Sequence, residues 1–241
     1  MILVRWLMSL IFAVQMYLAM AVFAVLFLPF ALWSRGGAIL AAHAYARWVR
    51  VTARLLCGLR SEIRGEIPDG EVLIAAKHQS FLDIILIFGC LPRPRFIMKR
   101  ELIWTPFLGQ YALRIGCIPV DRGKRGAAIQ KMKEDVARGT SDPGQLVVYP
   151  QGTRVAPGAK RPYKVGVGLI YQQLGQPCVP VATNAGLFWP RRTLLRRPGL
   201  AVVEFLPPIP AGIEVSEFMA RIEAVIEDHS DRLMAEAARG R

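Results

Sequence analysis

Hydrophobic and polar positions divide the chain into three regimes. From Trp6 to Trp33 no charged residue occurs, and as a helix this run would extend about 42 Å, more than the roughly 30 Å of a bilayer's hydrocarbon core. It predicts a membrane-embedded helix. The apolar core of a signal peptide is typically only about 7 to 15 residues long, and no small-residue cleavage site follows, so the segment is expected to stay. Pro29 and the polar Ser9 and Gln15 leave two forms open, a kinked span or a helical hairpin dipping into one leaflet.

The second regime is "AYARWVRVTARLLCGLR" at 44–60. Arg47, Arg50 and Arg54 share one helical face, and Trp48, Val51, Leu55 and Leu59 form an apolar one. That is the pattern of a helix lying at a membrane interface, and equally of a core-packed helix with a solvated basic face. The third regime alternates. Short β-branched runs, "EVLIAA", "RFIMK", "IGCIPVD", "QLVVYP", "CVPVAT" and "LAVVEFL", are separated by stretches of helical period such as 124–138 and 164–175. A last helix is predicted near 215–238, with Phe218, Ile222, Val225 and Leu233 on one face. The order reads as α/β, a mostly parallel central sheet flanked by helices. We place one boundary near residue 60, with membrane-anchoring and interfacial helices at 1–60 and an α/β domain at 61–241.

Charge adds orientation. Arg5 precedes the apolar run, whereas Arg35, Arg47, Arg50, Arg54 and Arg60 follow it. By the positive-inside bias, the body faces the cytoplasm from the cytoplasmic (inner) membrane. The net charge of +13 admits nucleic acid, anionic lipid or an acidic protein as partner, and the apolar run selects membrane lipid. Nucleic acid is not expected, because only Trp189 accompanies "PRRTLLRRPG", too little for a stacking platform. This arginine loop, with Trp189, is instead expected to touch anionic lipid or an acidic carrier protein. Cysteines 57, 90, 117 and 178 show no C-x-x-C spacing. They suit reduced thiols, with no disulfide and no structural metal.

Candidate chemistry gathers where strands end, as is usual in open α/β sheets. "KHQSFLD" follows 71–76, "DRGKR" follows 115–121 and "PQGTR" follows 145–149. Ser80 and Asp83 fit a helix start, with the serine as cap and the carboxylate in the first turn. Asp83 can also hold an imidazole N–H of His78 and leave the other nitrogen as a base. Three readings of this stretch stay open: a catalytic pair, a metal ligand, or capping alone. "YPQGTR" offers a glycine turn, a hydroxyl and a guanidinium suited to an anion. Serine-hydrolase, P-loop and complete dinucleotide-binding fingerprints do not occur.

These residues resemble the glycerolipid acyltransferase family, in particular the 1-acyl-sn-glycerol-3-phosphate acyltransferases. His78 and Asp83 match its first block, "IPVDR" the second, "YPQGTR" the third and "VPVA" at 179–182 the fourth, and the likeness extends over most of 60–210. The resemblance implies His78 as base and Asp83 as its orienter. It places Arg122, Gly152, Thr153 and Arg154 at the glycerol phosphate, with Gln151 among them and Lys99 as a further phosphate contact. It implies acyl transfer from acyl carrier protein or coenzyme A to lysophosphatidic acid, with no cofactor. Two positions depart from the pattern: Lys77 stands where asparagine is common, and Gln151 where glutamate is usual. Both put the acceptor's head group in question. Another lysolipid, such as a lyso-ornithine lipid, is the alternative substrate, and a non-catalytic basic membrane-binding scaffold is the alternative of another class.

Overall fold

The computed structural model describes residues 2–120, 130, 134 and 143–239. Helix α1 (Ile2–Leu26) ends just before Pro29, and the short α2 (Leu28–Trp33) carries that proline in its first turn, where its missing N–H costs nothing. Ser34 caps α3 (Arg35–Cys57) by accepting from Gly37 N at 3.0 Å. Gly58, at φ +65, closes α3 in the left-handed conformation that favours glycine. The helix therefore stops short of Leu59. That residue, expected on its apolar face, is buried at the start of strand β1 (Leu59–Arg64).

After β1 the chain runs β2 (Leu73–Ala76), α4 (Leu82–Cys90), β3 (Pro94–Lys99), a 3-10 turn at Arg100–Trp104, α5 (Leu108–Ile115) and β4 (Ile118–Val120). Then come β5 (Gln145–Val148), α6 (Gly166–Leu174), β6 (Cys178–Thr183), β7 (Gly199–Phe205) and α7 (Val215–Arg239). The seven strands lie in the order β1-β7-β6-β2-β5-β3-β4. Among the strand pairs of the described residues only β6–β7 is antiparallel, so the expected mostly parallel sheet is what forms. Residues predicted as helical at 124–138 lie largely outside the described residues.

Both faces of the sheet are covered. Along β2, Ile74 and Ala76 join the core beneath α3 and α4, while Leu73 and Ala75 join the one beneath α6 and α7. All four residues of β2 and of β5 are buried, which is why these strands read as continuous apolar runs and not as alternation. The connections from β2 and β5 set the site. From β2 the chain passes through α4 and crosses to β3 on the far side of β5. From β5 it passes through α6 on the other face and crosses to β6 on the far side of β2. Two adjacent strands thus send their chains in opposite directions, and a crevice opens at their carboxyl ends.

Candidate active site

His78 stands two residues beyond β2, in that crevice. Its Nδ1 lies 2.9 Å from Asp83 Oδ1. A carboxylate there only accepts, so Nδ1 carries the proton and Nε2 holds the free lone pair. Among the described residues Nε2 has no hydrogen-bond partner. The second carboxylate oxygen accepts from the backbone N–H groups of Gln79 and Ser80 at 2.8 and 2.7 Å. Asp83 thus orients the imidazole and closes the loop that carries it, and it is fully buried.

Ser80 is structural here. Its hydroxyl accepts from Leu82 N at 3.0 Å and donates to Trp189 O at 2.7 Å, and α4 begins one residue later than the spacing suggests, with Phe81 at its N-cap position. The amides of Gln79, Ser80 and Leu82 are therefore occupied. They cannot also stabilise an oxyanion.

The second loop comes from β5. Tyr149 stacks on His78 with ring centroids 4.0 Å apart and planes inclined by 21°, and Val155 N donates to His78 O at 2.8 Å. Burial first, and then the nearby Asp83 charge, push the Tyr149 phenol well above its usual range, so it stays neutral against the imidazole. Its hydroxyl is buried without a partner. Between these two anchors Gly152 takes φ +69, and a Cβ there would come within 3.0 Å of Lys164 Nζ. Thr153 and Arg154 follow, partly exposed, and their backbone N–H groups make no hydrogen bond among the described residues. Lys164, Thr153 and Arg154 give one side of the crevice a cluster of anion donors.

The other expected residues are placed differently. Lys99 is exposed at the end of β3, on the strand beyond β5. Arg122 lies outside the described residues. Gln151 is 1 % exposed and points its amide to Arg161 O at 3.3 Å and Glu227 Oε1 at 3.5 Å, in a buried polar cluster. Lys77 belongs to the same cluster: its ammonium is 3 % exposed and lies 2.5 Å from both Glu227 oxygens. Tyr163 donates to Glu227 Oε1 at 2.9 Å. The two departures from the family pattern, at 77 and 151, thus meet on one carboxylate of α7. Glu227 carries no motif that would have marked it, since it is one of many acids on an amphipathic helix.

Trp189 is corrected by the structure. It is buried, edge-on to Phe12 at 5.3 Å and beneath the Arg196 guanidinium at 4.2 Å. Arg196 is buried with it, and desolvation lowers it to about 10. An aromatic ring satisfies a cation inside the fold, so this pair joins α1 to the domain and offers nothing to a partner. Arg191, Arg192 and Arg197 remain exposed.

Among the described residues, a buried carboxylate fixing a histidine at a sheet's switch point, beside anion donors and without a nucleophilic serine, suits base-assisted group transfer. The acyltransferase family profile matches residues 59–184. The 1-acyl-sn-glycerol-3-phosphate acyltransferase of Cocos nucifera is 31 % identical over 214 residues, covering 82 % of this chain and 69 % of that one. The enzyme of the same name from Pseudomonas aeruginosa is 27 % identical over 194 residues, covering 80 % and 74 %. In fold, the crystal structure of the 1-acyl-sn-glycerophosphate (LPA) acyltransferase PlsC from Thermotoga maritima superposes with TM-score 0.78 at 23 % identity, covering 96 % of this chain and 98 % of that one. The chain belongs to the acyltransferase family and, within it, to the 1-acyl-sn-glycerol-3-phosphate acyltransferases.

Proposed function

We propose that the protein acylates the 2-hydroxyl of lysophosphatidic acid from a fatty acyl thioester, giving phosphatidic acid, at the cytoplasmic face of the inner membrane. The observation that carries this reading is the His78–Asp83 bond at 2.9 Å, which leaves Nε2 as the unpaired base. Nε2 takes the proton of the acceptor hydroxyl as that oxygen attacks the thioester carbonyl. The tetrahedral adduct collapses to the ester, and the imidazolium returns its proton to the departing thiolate. Asp83 stabilises the imidazolium in between. No covalent acyl-enzyme is required.

Lys164, Arg154 and the N–H groups of Thr153 and Arg154, unpaired among the described residues, supply donors for the acceptor's phosphate, and Lys99 adds charge from the end of β3. Gln151 supports this loop from beneath. The donor is an acyl carrier protein or coenzyme A thioester, and the exposed Arg191, Arg192 and Arg197 offer either one a positive approach. Membrane residence is supported by α1, a 25-residue helix apolar enough to cross a bilayer, and by its outward side chains, such as Leu3, Leu18 and Leu26.

The experiment is acyl transfer by the full chain in detergent, with lysophosphatidic acid and lyso-ornithine lipid as acceptors and both thioesters as donors. Phosphatidic acid is the expected product. His78→Ala should lower its formation by at least about 10²-fold, the low end of general-base catalysis, while the variant stays folded and membrane-bound. Turnover of lyso-ornithine lipid alone would overturn the substrate, and full activity of a folded His78→Ala would overturn the mechanism.

A further inference from the structure

An open cavity of about 690 Å³ lies at the opposite end of α4 from His78, between α3, β1 and the last turn of α4 at Gly89. Asp83 and Gly89 are six residues apart on that helix, about 9 Å along its axis, so the cavity is separate from the crevice. Four guanidinium groups line it: Arg47, Arg50 and Arg54 from α3, and Arg60 from β1. Arg50 is held by Ser61, its Nε donating to the hydroxyl at 2.9 Å. Arg47, Arg54 and Arg60 have no ion pair or hydrogen bond among the described residues. One carboxylate, Glu62, reaches the cavity, and Arg64 already binds it at 2.8 Å. Beneath it α3 and α4 approach closely, since a Cβ at Gly89 would lie 2.8 Å from that of Ala46.

Four like charges gathered in one groove, where the one carboxylate among the described residues is already paired with Arg64, call for an anion with several oxygens, and the surroundings say where it comes from. At about 100° per residue, Val51, Leu55 and Trp48 sit next to the arginines on α3, and they are 46 %, 75 % and 43 % exposed. Trp48 bonds to Gln15 of α1 at 2.7 Å and packs on Phe23, so the apolar stripe continues onto the outer surface of α1. A helix with an apolar stripe bordered by arginines places those arginines at the depth of lipid head groups.

We propose that this groove binds the phosphate head group of an anionic membrane phospholipid at a site distinct from acyl transfer, and that it seats α3 in the interface. The inference goes beyond the proposed activity and does not depend on it. Bound lipid stabilises the folded state by RT ln(1 + L/Kd), where L is the free lipid concentration, a gain that grows with the logarithm of that concentration above Kd. The test is thermal unfolding of the detergent-solubilised full chain, titrated with phosphatidylglycerol, phosphatidylcholine or inorganic phosphate. Phosphatidylglycerol should raise the melting temperature progressively, in step with the logarithm of its concentration, whereas phosphatidylcholine and millimolar inorganic phosphate should not raise it.

In Arg47→Gln/Arg54→Gln/Arg60→Gln the phosphatidylglycerol concentration that gives a fixed rise in melting temperature should increase about a hundredfold, at roughly 1 kcal/mol for each interfacial cation. A charge-matched control, Lys160→Gln/Arg221→Gln/Arg239→Gln, should titrate as the wild type does. Should the triple variant misfold, Arg54→Gln and Arg60→Gln singly should each weaken binding several-fold. Equal titration of groove variants and wild type would overturn the proposal, as would equal loss in the control, which marks unspecific charge. A response to inorganic phosphate matching that to the lipid would also overturn it, since it marks a free-anion site.

Discussion

Tyr149 and Asp83 show how one side chain each sets the imidazole's plane and its proton. Asp83→Asn keeps the volume but offers only one acceptor oxygen. If that oxygen serves the amides of Gln79 and Ser80, the new NH2 faces His78 Nδ1 and drives the proton to Nε2, where it blocks the base. We expect turnover to fall by about 10² to 10⁴-fold, with acceptor KM nearly unchanged. Steady-state kinetics check this, and a loss confined to stability would leave Asp83 with capping alone. Tyr149→Phe keeps the stack and removes a hydroxyl that is buried without a partner. It should leave turnover within a few-fold and raise stability by about 1 kcal/mol, the cost of an unsatisfied buried group, read from the urea midpoint.

At the scale of elements, α7 governs the loops from behind. Its Glu227 ties Lys77, next to His78, to Gln151, next to Gly152. Glu227→Gln leaves the buried ammonium of Lys77 unpaired. The cost should be about 2 kcal/mol, less than the 3 to 5 of a fully buried pair because Glu227 is partly exposed, and turnover should fall as the His78 loop loosens. Gln151→Glu alone sets a second carboxylate close to the first. Such a pair holds a proton above the unfolded carboxylate range, so this variant should lose stability as pH rises from 5 to 8. The double variant Glu227→Gln/Gln151→Glu returns a single carboxylate to Lys77 and should recover most of both losses. Urea midpoints at pH 5 and 8, together with turnover, decide; failure of the double variant to recover would mean that Glu227 acts through α7 packing and not through its charge.

The whole molecule depends on docking its apolar helix. Ser9 accepts from Arg196 N at 2.9 Å, and Gln15 donates to Thr52 at 3.0 Å. The polar residues that left α1 ambiguous are thus its joints to the domain and to α3, and the chain reverses at α2. Burial elsewhere has a measurable consequence. It pushes the Cys90 thiol up to about 12 and that of Cys117 to about 11. Above pH 9 the unfolded chain therefore releases these protons while the folded one keeps them, and the two thiols withdraw stability as pH rises from 9 toward 11. Cys90→Ala/Cys117→Ala should show a flatter decline of urea midpoint between pH 8.5 and 10.5 than the wild type, and identical slopes would refute it.

Local periodicity determined most of this protein's elements. The apolar run, the strands of the central sheet and the terminal helix were legible because burial on both faces, or on one stripe, writes itself into neighbouring residues. The contact of His78 with Asp83, five positions apart across a helix start, was one of three readings the spacing left open, and the structure shows the two in contact. Strand β1, "LRSEIR", and helix α5 were not legible, for their polar residues are tolerated only where the strand forms a sheet edge or the helix lies half-exposed. Tyr149 against His78, Glu227 beneath Lys77 and Gln151, and Trp189 turned inward onto Arg196 were settled by tertiary structure alone. Each joins residues tens or more than a hundred positions apart, or depends on which side of a loop faces the core, and neither property leaves a period in the chain.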